Sequence, residues 1–81
     1  MLPAEILQRL TLIMRDVFDN DDIEATPELT ADAVEGWDSL SNVRLVVAVE
    51  KDLRVRFSAA EIGDLKNVGD LVALIARKQA G

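Results

Sequence analysis

The sequence predicts an all-α fold, a small four-helix bundle of three main helices and one short one, with a long loop between the first and second helices. Three observations carry this prediction. Apolar residues recur at helical spacing near both ends of the chain. Helix-capping residues stand just ahead of the later apolar runs, at Asp38, at Ser58 with Glu61, and at Asn67. With 81 residues and no cysteine, the chain has one domain (1–81) and one hydrophobic core to hold it together.

The elements follow in order. Pro3 suits the first helical position, and Glu5 complements the positive helix N-terminus. Ile6, Leu10, Ile13 and Val17 form an apolar stripe that Leu7, Met14 and Phe18 widen, with Met14 read as core. The helix is expected to end near Phe18 or Asp19, where Asp19-Asn20-Asp21-Asp22 competes for backbone hydrogen bonds. Residues 20–37 are polar and weakly periodic, and Pro27 favours turn or extended backbone. Ile23, Leu29, Ala33 and Val34 are the residues available to pin this loop. The second helix opens at Asp38 and carries the stripe Leu40, Val43, Val46, Val47 and Val49 as far as Leu53. Its valines also suit a strand, which leaves a hairpin of residues 43–49 with 53–57 as the alternative. No turn residues separate those two runs, and this favours the helix. Val55 and Phe57 then fall in a short extended link, tucked inward. Ser58-Ala59-Ala60-Glu61 opens a short helix reaching about Asp64. Asn67 caps the last helix, whose buried side is Val68, Leu71, Val72, Leu74 and Ile75, with Arg77 and Lys78 at its negative end.

Composition removes several functions. Without cysteine or histidine there are no disulfides, thiol nucleophiles or imidazole bases, and nearly all zinc sites are excluded. A carboxylate enzyme would need two acids in a cleft with one pKa raised, and no acid here sits in such an apolar context. The longest purely apolar run, 45–49, is far short of the roughly 20 residues that span a bilayer. The first residues show no basic segment followed by an apolar one, so a soluble cytoplasmic protein is expected, and a monomer is the default for a chain of 81 residues. The net charge of −6 is uneven: residues 16–38 hold nine acids and no Lys or Arg. Such a stretch repels nucleic acid and attracts basic protein surfaces, or simply keeps a loop solvated.

The informative constellation is Gly36-Trp37-Asp38-Ser39-Leu40, where the long loop meets an apolar helix. A serine there has an exposed hydroxyl beside unpaired N–H groups at the positive end of a helix. A phosphodiester on that oxygen is favoured by both. Asp38 can cap the helix, and Leu40 is placed to anchor its start in the core.

At these residues the sequence resembles the acyl carrier protein family, whose attachment motif Asp-Ser-Leu is found as Asp38-Ser39-Leu40. The resemblance covers nearly the whole chain: an amphipathic first helix, a long acidic loop, the motif, an apolar second helix, then a short helix and a last one. It implies a carrier with no catalysis of its own. Ser39 would hold 4'-phosphopantetheine, taken from coenzyme A by a phosphopantetheinyl transferase that Asp38 assists, and acyl-loading and acyl-processing enzymes would act on acyl groups held there as thioesters. It also implies shelter for the acyl chain between the helices. One departure stands out. Housekeeping fatty-acid carriers usually have acids along the exposed side of the second helix, whereas this chain has Ser41, Asn42, Arg44 and Lys51, with acidity left at Glu50 and Asp52. That predicts a specialised carrier of a polyketide-type or other secondary pathway, with dedicated partners. Trp37-Asp38 ahead of the serine, in place of the Gly-Gly-His or Gly-Gly-Asp common in aminoacyl and peptidyl carriers, favours acyl cargo.

Other readings stand beside this one. An unmodified acidic helical interaction module would keep the bundle and the loop without needing Ser39. Asp19 and Asp21 fit the first and third positions of a calcium loop, but Ile23, Glu24 and Thr30 break the fifth, sixth and twelfth, leaving at most loose divalent-ion binding. Trp37 either packs against its own protein, the commoner outcome, or touches the arm or a partner.

Overall fold

The computed structural model describes residues 1–80, which form four α-helices: α1 (Pro3–Val17), α2 (Ser39–Leu53), α3 (Ala59–Gly63) and α4 (Val68–Ala80). A short 3-10 turn, Ala31–Ala33, interrupts the loop between α1 and α2. Among the described residues there is no strand, so the valine-rich segment is helical. Burying Leu45, Val49 and Leu53 in the core, with α2 packed on α1, overrides the weak strand preference of the valines.

Each helix starts where the sequence places its cap. The Glu5 carboxylate accepts the Leu2 N–H at 2.9 Å. Ser58 Oγ accepts the Glu61 N–H at 3.1 Å, and the Glu61 carboxylate accepts the Ser58 N–H at 2.8 Å. Asn67 Oδ1 accepts from Asp70 N–H at 2.8 Å, and Asp70 Oδ2 accepts from Lys66 N–H at 2.9 Å. Lys78 reaches back to Glu61 at 2.8 Å, tying α4 to α3.

The core joins Ile6, Leu10 and Met14 of α1 to Leu45 and Val49 of α2 and to Val68, Leu71, Val72 and Ile75 of α4. Met14 is fully buried and Ile13 only partly, so the α1 seam runs slightly to one side of the expected stripe. Val55 lies in the core with Phe57 packed against it, as a tucked link requires.

The long loop is firmly held. Ile23, Ala25 and Val34 are buried and Leu29 packs on the core, whereas Ala33, expected inward, is exposed because it ends the 3-10 turn on its outer side. Arg15 Nε donates to the Ile23 carbonyl at 2.8 Å, and Thr11 Oγ1 accepts the Ala25 N–H at 3.0 Å. Farther on, the amides of Val68 and Gly69 donate to the carbonyls of Leu29 and Pro27, both at 2.9 Å. The loop thus caps α4 while α4 anchors the loop. A Cβ on Gly69 would lie 3.0 Å from the Pro27 carbonyl, so glycine permits this close approach.

Candidate functional site at the start of the second helix

Gly36 turns the chain at φ +87°, a backbone state that glycine adopts without strain, and Trp37 and Asp38 lead into α2. Asp38 is the N-cap. Its Oδ1 accepts the Ser41 N–H at 2.9 Å, and Ser41 Oγ accepts the Asp38 N–H at 2.8 Å. Ser41 Oγ also donates to the Gly36 carbonyl at 2.6 Å. The hydrogen bond from the Ser41 N–H lowers the Asp38 pKa below the ordinary carboxylate range, and the Ser41 side chain and the Leu40 N–H add to this.

Ser39 is the first residue of α2 and is exposed. Its hydroxyl makes no hydrogen bond among the described residues, because Ser41 takes the capping contacts. Ser39 and Asp38 border a cavity of about 370 Å³ that runs between α2 and α4 under α3. Apolar side chains make most of its wall, with Leu45, Val46 and Val49 from α2 facing Ile62, Leu65 and Leu71. An exposed hydroxyl at a helix N-terminus therefore lies beside an apolar cavity of small-molecule size.

Trp37 packs on its own protein. Its ring lies 5.6 Å from that of Phe18, and Nε1–H donates to Asn42 Oδ1 at 3.0 Å. Three expectations for α2 are corrected. Leu40 does not anchor the helix start in the core, since it is 74% exposed, and Val43 at 59% and Val47 at 40% share its outward face. The buried seam instead runs through Ser41, Leu45, Val49 and Leu53 at spacings of four. Ser41 and Asn42, expected on the exposed side, face inward as cap and as Trp37 partner. Ser41 was nevertheless legible, because a hydroxyl three residues after an Asp N-cap can bond back to the cap amide. The remaining acids on this side are engaged: Glu50 accepts the Phe57 N–H at 2.9 Å, and Asp52 pairs with Arg9 at 3.0 Å.

In the acidic loop, Asn20 Oδ1 accepts the Asp22 N–H at 2.9 Å, a local turn. Among the described residues no group of three or more carboxylates converges as metal ligands. No described helix is long and apolar enough to cross a membrane.

These features define a small helical bundle with an exposed serine at a helix start beside an apolar cavity, and comparison with known proteins says which family has them. No family model matches the chain. It is 31% identical over 80 residues, 99% of both chains, to the acyl carrier protein of Thermosynechococcus vestitus. Its fold matches the solution NMR structure of the holo acyl carrier protein from Geobacter metallireducens with a TM-score of 0.86 and 44% identity, covering 91% of this chain and 85% of that one. The chain belongs to the acyl carrier protein family, and as such it is a carrier and not a catalyst.

Proposed function

We propose that Ser39 carries a 4'-phosphopantetheine arm, placed there from coenzyme A by a phosphopantetheinyl transferase, and that acyl-loading and acyl-processing enzymes act on acyl groups held on it. The observation that carries this reading is the exposed, unbonded Ser39 hydroxyl at the first position of α2, beside the apolar cavity. When bound, the arm supplies a thiol for thioester formation and the reach to present it, raising the local concentration of cargo at a partner's site. The chain's own residues fit such a group. Ser39 offers an oxygen free of competing hydrogen bonds. The first-turn amides and the helix dipole favour a phosphodiester's negative charge there. Asp38 keeps its own carboxylate turned to the Ser41 amide, which holds the helix start rigid for the transferase. Leu40, exposed directly after Ser39, offers an apolar contact to the arm or to that transferase. The cavity wall of Leu45, Val46, Val49 and Leu71 would shelter an acyl chain from water.

Within the family we place the chain in a specialised pathway, polyketide-type or similar, and not in housekeeping fatty-acid synthesis. Arg44 and Lys51 on the exposed side of α2 support this, since they disfavour partners that present Arg or Lys there. The test is intact mass measurement after incubation with coenzyme A and a broad-specificity phosphopantetheinyl transferase. Wild type is expected to gain one phosphopantetheine and Ser39→Ala none. No gain in wild type, with a known carrier modified in parallel, would leave the unmodified interaction module as the better account.

A further inference from the structure

We propose that the cargo selected by this cavity is an acyl chain oxidised at its third carbon, a 3-oxoacyl group, whose carbonyl oxygens accept from the free carboxamide N–H groups of Asn42 and Asn67. The proposal rests on the carrier reading above, because it takes the acyl group to hang from Ser39.

Asn42 lies one helical turn along α2 from Ser39, and Asn67 stands directly ahead of α4. Both are half-buried, and both line the cavity of about 370 Å³. Their neighbours fix how each carboxamide is turned. The Trp37 indole nitrogen can only donate, and it donates to Asn42 Oδ1 at 3.0 Å. The Asp70 N–H, also a donor, takes Asn67 Oδ1 at 2.8 Å. Each residue is left with its Nδ2 amino group, and neither amino group makes a hydrogen bond among the described residues. No unpaired side-chain nitrogen or oxygen is sealed from solvent among the described residues, so both stay open to a ligand.

The rest of the wall is mainly apolar, with Leu45, Val46, Val49, Leu65 and Leu71. Its carboxamide and carboxylate oxygens are engaged: those of Asn42 and Asn67 as above, and Asp38 Oδ1 with the Ser41 N–H. Lys66 lines the same cavity outside every salt bridge among the described residues, and its charge adds to the pull on an acceptor. A plain alkyl chain laid along this wall would displace water from two amino groups and offer no bond in return. A saturated acyl thioester brings one carbonyl oxygen, whereas a 3-oxoacyl thioester brings two and keeps an alkyl tail for the apolar part. Donors on two elements, α2 and the head of α4, match those two acceptors. A hydroxyl in place of the 3-oxo group fits less well, because its own hydrogen would need an acceptor.

The experiment uses the full chain, modified on Ser39 from coenzyme A or from analogues that carry octanoyl or 3-oxooctanoyl through an amide in place of the thioester. Loading is confirmed by intact mass. Urea unfolding is measured for the unacylated, octanoyl and 3-oxooctanoyl forms of wild type, Asn42→Asp and Asn67→Asp. Each substitution keeps the oxygen that Trp37 or Asp70 needs and removes only the donor. The 3-oxooctanoyl form is expected to lose at least about fivefold more in folding equilibrium constant than the octanoyl form, in either variant. In wild type, the side-chain amide proton resonances of Asn42 and Asn67 are expected to move further with 3-oxooctanoyl than with octanoyl. Equal losses in the two acylated forms, or resonances that ignore the 3-oxo group, overturn the proposal. Losses already complete in the unacylated form overturn it too, because they assign the donors to the amide carbonyls of the arm. A wild-type chain that takes no arm overturns the carrier reading and this proposal together, whereas a loaded chain without the 3-oxo preference overturns this proposal alone.

Discussion

The 2.6 Å hydrogen bond from Ser41 Oγ to the Gly36 carbonyl closes the turn that presents Ser39. Two serines, two residues apart, therefore have opposite duties. Ser41 is buried and fully bonded, while Ser39 is exposed and unbonded. Ser41→Ala is expected to cost about 1–2 kcal/mol in urea denaturation, since it strands the Asp38 N–H and the Gly36 carbonyl. Ser39→Ala should stay within about 0.5 kcal/mol of wild type yet abolish modification. A large stability loss in Ser39→Ala would mean that its hydroxyl has a structural partner after all.

Leu40 and Leu45 make a second contrasting pair, on the same helix. Leu45 is 1% exposed, so Leu45→Ala should cost about 2–4 kcal/mol through lost burial and a cavity. Leu40→Ala should cost less than about 0.5 kcal/mol, and its effect should appear in the rate of Ser39 modification instead. Denaturation midpoints and transferase kinetics on both variants check this.

This pair also shows where the sequence was and was not legible. The seams of α1 and α4 were readable because their polar and apolar faces are distinct. Helix α2 carries apolar residues nearly all round, at Leu40, Val43, Leu45, Val46, Val47 and Val49, so periodicity could not fix which side faces inward. Packing against α1 fixes it. The caps at Asp38, Ser58 and Asn67 were readable because they act over three residues. The bonds from Val68 and Gly69 to Leu29 and Pro27 were not, since they join main-chain groups about forty residues apart with no side-chain signal. The place of Ser39 at the exposed start of α2 was readable from the loop-to-helix junction, but the orientation of Leu40 depended on the phase of α2.

Gly69 tests how the loop is held. Gly69→Ala would press a methyl group against the Pro27 carbonyl at 3.0 Å. Helix propensity alone would favour alanine by about 1 kcal/mol. The clash should reverse that sign and give a net loss of about 1–2 kcal/mol, with faster amide exchange at Val68 and Gly69. A stabilised variant with unchanged exchange would show that the loop yields easily.

Acid sensitivity follows from two carboxylates whose pKa values are lowered in the fold. The Ser41 N–H lowers that of Asp38, and Lys78, then the Ser58 N–H, lower that of Glu61. Each binds fewer protons folded than unfolded, so its contribution is present above the unfolded value of about 4 and is lost as pH falls through the lowered folded value. Urea midpoints measured from pH 7 to pH 3 should therefore fall most below about pH 4. Asp38→Asn keeps an acceptor for Ser41 and should flatten part of that fall. An identical acid limb in Asp38→Asn would assign the sensitivity to other groups.

Arg54 closes α2 in the left-handed region at φ 56° and ψ 49°, while its amide still donates to the Glu50 carbonyl. A residue with a Cβ is disfavoured there by about 1 kcal/mol, whereas glycine is not. The Arg54 side chain is exposed and outside every salt bridge among the described residues, so it offers little to offset that strain. Arg54→Gly should therefore stabilise the fold by about 0.5–1 kcal/mol, even though glycine also loosens the unfolded chain. Arg54→Ala is the discriminating control, because it removes the same charge but keeps the Cβ, and it should gain nothing. If both variants gained equally in thermal and urea denaturation, the cause would be relief of repulsion among Lys51, Arg54 and Arg56 and not the backbone geometry.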